Sequence, residues 1–299
     1  MTPFRINPAV WFVAPALALI AVFFFLPVLA ALLLSFTDFD IYALGDVGLL
    51  RWVGLDNYRR LLVDPLFHTA LRNTGYFVAV GGPLSVAVSL GMALLLNHGL
   101  VRGKGVFRAL LFLPVVTALV AVAVVWRYLY HPRHGFLNYA LGWFGIAPID
   151  WLGDPAYAMP ALILMAVWKN FGFNMIVFIA GLQSIPRRLY EAAMLDGAGP
   201  WRQFLHITLP MLAPTFLFVT IITLIGYCQL FAEPYVMTQG GPADSTLSVA
   251  LLMFQEGFRW WNLGYAAAVA FVLFLIILLG TVGQAWLRRG DSSTTFPNE

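Results

Sequence analysis

The stretch ITLPMLAPTFLFVTIITLIGYCQLF, from Ile207 to Phe231, carries no charged side chain. A bilayer core of about 30 Å is crossed by a helix of roughly 20 apolar residues, and backbone groups left unpaired in hydrocarbon are too costly for other open structures. Read this way, the stretch is a membrane span. Five more stretches meet the same requirement: Trp11–Phe36, Thr74–Leu96, Ala109–Tyr130, Ala158–Gly181 and Gly264–Leu287. Within all six, only Arg127 and Lys169 bring charge. The expectation is an all-α integral membrane protein with six transmembrane helices.

Composition points the same way. Of 299 residues, 61% are hydrophobic and 10% are charged, whereas soluble chains carry roughly 45–50% and about 25%. The net charge of +3 comes without a basic run that could track phosphates, so nucleic acid is not an expected partner. The single Cys228 can form no intramolecular disulfide and reads as a small buried hydrophobe. The apolar stretch from Val10 to Phe36 is too long for the core of a signal peptide and is expected to remain as the first span.

Orientation follows from Lys and Arg near the span ends. With the N-terminus in the cytoplasm, Arg5, Arg102, Lys104, Arg108, Arg187, Arg188, Arg202, Arg288 and Arg289 lie inside. Arg51, Arg59, Arg60, Arg72, Arg133 and Arg259 then lie outside, together with most of the acids. Both termini and the loop 182–206 are therefore expected to be cytoplasmic. The external segment Gly54–Arg72 reads as a short amphipathic helix with Leu61, Leu62, Leu66 and Leu71 on its apolar side.

The inner loop contains Pro186-Arg187-Arg188-Leu189-Tyr190-Glu191-Ala192-Ala193-Met194-Leu195-Asp196-Gly197-Ala198-Gly199-Pro200-Trp201. Pro186 suits a helix start, Gly197, Gly199 and Pro200 break the helix, and Trp201–Leu205 begins another that leads into the fifth span. The run Glu191-Ala192-Ala193, then Gly197, then Ile207-x-Leu209-Pro210 resembles the EAA loop of ABC-importer permeases. Further stretches resemble the sugar and glycerol-phosphate permeases of the MalF-like type: Gly54-Leu55-x-Asn57-Tyr58, Ala70-Leu71-x-Asn73-Thr74, Met237-Thr238-Gln239-Gly240-Gly241-Pro242 with Ser245-Thr246, and Gly264-Tyr265-Ala266-Ala267-Ala268. Together these patterns span nearly the whole chain.

That resemblance implies an inner-membrane permease without catalytic residues. Its coupling helices, 186–205, would dock on an ATPase through Glu191, Ala192, Ala193, Asp196 and Gly197. The implied partners are a second, MalG-like permease subunit, two ATP-binding cassette subunits that hold ATP and Mg, an extracytoplasmic solute-binding protein, the sugar and membrane lipid. It divides the chain into an N-terminal span with the external segment (1–72), a permease core (73–290) and a cytoplasmic tail (291–299). The chain itself has no G-x-x-x-x-G-K-[S/T] and is expected to bind no cofactor. Substrates of the resembling subunits include malto-oligosaccharides, trehalose and glycerol-3-phosphate.

Polar side chains at membrane depth usually face a bundle interior or a water-filled path. The fourth span offers Trp168, Asn170 and Asn174, with Lys169 beside them, and the end of the fifth offers Tyr227, Gln229 and Phe231 before Glu233. Aromatic faces with a few amides suit a sugar, whose C–H face packs on rings while its hydroxyls need donors and acceptors. These six are the candidate substrate path, and interhelical hydrogen bonding is the alternative role for each. Lys169 either faces the path, which would favour an anionic group, or pairs with a neighbour. Arg127, near a span end, is expected to snorkel outward. His131 and His134 lack a third ligand, so no metal site is expected. An ion-driven secondary transporter, the main rival, would be expected to place acids inside the spans, and none lies there.

Overall fold

The computed structural model describes residues 8–46, 48, 50–98 and 102–291, so Arg5 and residues 292–299 of the expected tail lie outside the described residues. The described chain is helical throughout, with one isolated antiparallel bridge, Thr37 to Trp52. It divides into two compact units, residues 1–64 with 252–272, and residues 65–251 with 273–299.

In the first unit, α1 (Pro8–Ile20) passes through a π turn into α2 (Leu26–Leu34). No described side chain from Phe12 to Leu34 is buried. Short α3 (Ile41–Gly45) starts at Asp40, whose carboxylate accepts from the amides of Tyr42 and Ala43. In α4 (Asp56–Val63), Asn57 Nδ2 donates to the carbonyls of Ser35 and Thr37 at 2.9 and 2.8 Å, and the Tyr58 and Ser35 hydroxyls bond at 2.7 Å. The Gly54–Tyr58 pattern thus clasps the end of the first span, where carbonyls have no intrahelical partner. Burial pushes the Asp38 carboxyl up, but the amide and guanidinium of Arg51 outweigh it and hold the group below the usual carboxylate value.

The external helix ends sooner than expected. Asp64 precedes Pro65 and takes an extended ψ of 113°, because proline disfavours helix in the residue before it. Leu61 is buried and Leu62 exposed, while Leu66 and Leu71 belong to the next helix.

The second unit opens with α5 (Pro65–Tyr76), which runs through a π turn into α6 (Gly82–Asn97) as one helix of 33 residues. Then come α7 (Lys104–Val116), α8 (Leu119–Leu129), the short α9 (Phe136–Gly142) and the 30-residue α10 (Pro155–Ser184). Beyond the inner loop, formed by α11 (Arg187–Leu195), α12 (Pro200–Gln203) and α13 (Leu209–Met211), lie α14 (Ala213–Cys228) and α15 (Ala232–Met237). Two elements join the units, α16 (Val249–Phe254) and the long final helix α17 (Leu263–Asp291).

The third expected span is not one helix. α7 and α8 meet at 97° across Thr117–Ala118, and Thr117 is extended at ψ 146°. Pro114 contributes no amide donor, and the Thr117 hydroxyl donates to its carbonyl at 2.6 Å, so the chain leaves the helix there with one free carbonyl satisfied. A milder adjustment recurs at Ala21–Phe25, Phe77–Gly81 and Phe204–Thr208, where π turns end two residues before Pro27, Pro83 and Pro210. A widened turn accommodates the ring that would otherwise clash with the carbonyl four residues earlier.

α10 is the centre of this unit, packed against α6, α7 and α14. Without a hydrophobic drive between helices in lipid, close approach at small residues supplies the packing. Gly172 lies against the Leu111 carbonyl and Phe112 Cα of α7, and Gly181 against Thr215 and Leu212. Gly172→Ala should therefore force backbone apart and cost about 1–3 kcal/mol, whereas Gly91→Ala, with no protein atom within 4 Å of its added carbon, should cost far less. Thermal unfolding of the two variants in detergent checks this, and equal midpoints would contradict the packing.

Candidate functional site

Two places hold the candidate residues. The first is the inner loop. α11 ends in a Schellman motif: the Gly197 amide donates to the Met194 carbonyl at 3.1 Å and the Ala198 amide to the Ala193 carbonyl at 2.8 Å. Gly197 has φ +75°, a conformation costly to residues with a Cβ. Gln203 Nε2 donates to the Ala198 carbonyl at 2.8 Å, and the hydroxyls of Tyr190 and Thr208 bond at 2.9 Å. The loop is thus a rigid helix–turn–helix. Glu191, Ala192, Asp196 and Gly197 are exposed and Ala193 is half-buried. Leu195 is 91% exposed, and Met194 and Trp201 stand out beside it. His206 Nδ1 lies 3.0 Å from the Arg202 carbonyl, one helical turn back.

The second is a cavity of about 490 Å³ between α10 and α14, walled also by the break in the third span. Five of the six path candidates line it: Asn170, Asn174, Tyr227, Gln229 and Phe231. Trp168 does not. Its ring packs on Trp126 of α8, with centroids 5.5 Å apart, because residue 168 falls on a different side of α10 from 170 and 174. Asn174 Nδ2 donates to Thr223 Oγ1 at 3.0 Å, joining the two helices inside the wall. The Tyr227 hydroxyl is buried without a hydrogen-bond partner, and its ring packs against Gly81.

The structure adds Glu233, Thr223, Val115 and Leu119 to the lining. Val115 and Leu119 reach it only because the third span breaks, and the signal for that was Pro114. Glu233 is buried in the first turn of α15, and it lies within the apolar stretch Ala213–Met237, so one acid does sit inside a span, against the expectation. Lys169 is buried as well, and its ammonium donates to the Val115 carbonyl at 3.0 Å. Arg127 is exposed, and its guanidinium donates to the Val236 carbonyl of α15 at 3.3 Å. His131 Nδ1 accepts from the amides of Arg133 and His134, so this pair serves as a turn cap.

Near the second site, two of the sequence patterns form a clasp around the loop after α15. Asn73 Nδ2 donates to the carbonyls of Asp244 and Leu247 at 2.7 and 3.0 Å, and Thr74 Oγ1 accepts from the Val249 amide at 3.0 Å. Thr246 bonds Thr238 and the Gly241 carbonyl at 2.7 and 2.8 Å. Gly240, at φ +91°, makes the turn possible.

A helical membrane bundle with a polar interior cavity and a rigid projecting loop is the form of a transport-system membrane subunit, and the chain belongs to the family of binding-protein-dependent transport system inner membrane components, which matches residues 85–290. It is a permease and not an enzyme. It is 41% identical to the lactose transport system permease protein LacF of Rhizobium radiobacter over 283 residues, 93% of each chain. It is 34% identical to the trehalose/maltose transport system permease protein MalF of Thermococcus litoralis, over 90% of each. With the sn-glycerol-3-phosphate transport system permease protein UgpA of Agrobacterium fabrum it shares 35%, over 91% of each. The fold is that of a bacterial ABC transporter involved in alginate import, with a TM-score of 0.77 at 22% identity, covering 96% of this chain and 97% of the other.

The Asn174–Thr223 bond should show as a coupling energy of about 0.6 kcal/mol, and at most about 1.7, in a double-mutant cycle of Asn174→Ala and Thr223→Val followed by unfolding in detergent. Strict additivity would mean that the two side chains do not bond.

Proposed function

We propose that this chain is a permease subunit of an ATP-driven sugar importer, and that the sugar passes through the cavity between α10 and α14. The observation that carries the reading is the lining itself. Three amides, three aromatic rings and a carboxylate face one space at membrane depth, where polar groups are expensive unless they serve a path or pair with one another. Relatives named for lactose and for trehalose/maltose support a sugar, and the path suits an oligosaccharide such as a malto-oligosaccharide or trehalose.

The exposed loop docks on a separate ATPase, with Glu191 forming a charge-assisted contact, Ala192 and Ala193 permitting close approach, and Asp196 and Gly197 shaping the turn. A rigid helix wedged in a partner passes that partner's motion to the spans on either side. The assembly comprises a second permease subunit, two ATPase subunits that bind ATP and Mg, and an extracytoplasmic binding protein that delivers the sugar. Both termini and the loop face the cytoplasm, on the basic-residue asymmetry described above. A second reading, glycerol-3-phosphate, is favoured by the UgpA relative and by a buried lysine beside the path.

Uptake of labelled lactose, trehalose and maltotriose by proteoliposomes holding the complete importer tests the proposal. Uptake should require internal ATP and the binding protein. Asn174→Ala and Gln229→Ala should slow it, with assembly and basal ATP hydrolysis intact. Gly197→Leu should abolish it while the binding protein's affinity is unchanged. Uptake driven by an ion gradient without ATP, or of glycerol-3-phosphate alone, would contradict the reading.

A further inference from the structure

Two opposite charges lie buried at membrane depth beside the cavity. Lys169, on α10, is 7% exposed, and Glu233, on α15, is 8% exposed. Either charge alone would be costly there, and each lowers the cost of the other. They act on each other electrostatically. Their polar ends, however, are used differently.

The Lys169 ammonium donates to the Val115 carbonyl, one of the last four carbonyls of α7, which the break at Thr117 leaves without an intrahelical partner. A cation at a helix C-terminus also complements the partial negative charge there. Lys169 is therefore engaged in holding the break, and it does not line the cavity. Glu233 does line it, and is the one charged side chain among the described lining residues. Around it are Asn170, Asn174, Gln229 and the unpartnered hydroxyl of Tyr227.

A carboxylate accepts hydrogen bonds and cannot donate them, and such charge-assisted bonds are about twice as strong as neutral ones. In a poorly polarisable surround it also repels other anions over several ångströms. We infer that Glu233 is a specificity-determining residue of the transport path, accepting hydrogen bonds from the hydroxyls of a neutral sugar and turning away solutes that carry phosphate or carboxylate groups. Lys169 is its counter-charge and the positioning residue of the broken span. The inference rests on the sugar-path reading above, and it decides between that reading's two substrates in favour of the neutral one.

The test uses the complete importer in proteoliposomes with its binding protein and internal ATP. For whichever of lactose, trehalose and maltotriose the wild type carries, Glu233→Gln should lower kcat of uptake at least tenfold. KM, governed by the binding protein, and binding-protein-stimulated ATP hydrolysis should stay within twofold, and Glu233→Asp should recover part of the loss. Binding of labelled glycerol-3-phosphate to the detergent-solubilised complex without binding protein should be absent in wild type and measurable in Glu233→Gln. If that variant does not assemble because Lys169 is left uncompensated, the double variant Lys169→Met with Glu233→Gln removes both charges and should show the same loss of kcat. Sugar uptake at the wild-type rate in either assembled variant overturns the inference alone. A wild-type importer that moves none of these sugars overturns it together with the reading beneath it.

Discussion

The constraint on which the rest depends is that a backbone carbonyl or amide at membrane depth must find a partner within the protein. Most of the chain meets it by remaining helical. The break at Thr117–Ala118 does not, and the chemistry of the second site is organised around that exception. Thr117 takes the Pro114 carbonyl and Lys169 the Val115 carbonyl. The cation needed for this capping has a carboxylate near it, and that carboxylate faces the cavity. A cavity wall, a buried charge pair and a bent span thus follow from one interruption in hydrogen bonding.

The same accounting explains several of the short sequence patterns. Asn57 closes the end of the first span, and Asn73 with Thr74 closes the loop that follows α15. The Schellman turn at Gly197 closes α11. In each case one or two side chains or a glycine satisfy carbonyls that a helix end or turn exposes, and the result is a stiff junction. In the proposed coupling role stiffness matters most at the loop 187–203, because a lever that bends cannot pass on motion.

Much of this was legible from sequence. Long uncharged stretches mark the spans, since hydropathy alone decides what can cross a bilayer. The inner loop declares itself through Gly197, where only a residue without Cβ is comfortable at φ +75°. Asn170, Asn174 and Gln229 stand out because amides are rare at such depth, and Tyr227 and Phe231 because they are aromatics adjacent to them. What sequence did not carry was three-dimensional. Pro114 signals a break, but proline is tolerated within other helices here, such as α10 with Pro160, so its presence does not give the 97° bend. Trp168 and Asn170 are two positions, about 200°, apart on a helix, so one face could not hold both, but only the packing of Trp168 on Trp126 shows which of them faces the cavity. Glu233 lies past the fifth apolar stretch, and its burial comes from α15 folding back against α8.

The central claim is the proposed one, that a partner ATPase drives this chain through the helix–turn–helix at 187–203. Leu195, the most exposed apolar residue of that loop, is the natural probe. With Leu195→Cys in a Cys228→Ser background and a single cysteine in the facing cleft of the co-purified ATPase subunit, oxidation should join the two chains in good yield, and ATP should change that yield. A Leu62→Cys control, exposed and on the extracytoplasmic side in the proposed orientation, should give no product. Failure to cross-link at position 195 in an assembled, transporting complex, or an equal yield from position 62, would contradict the account.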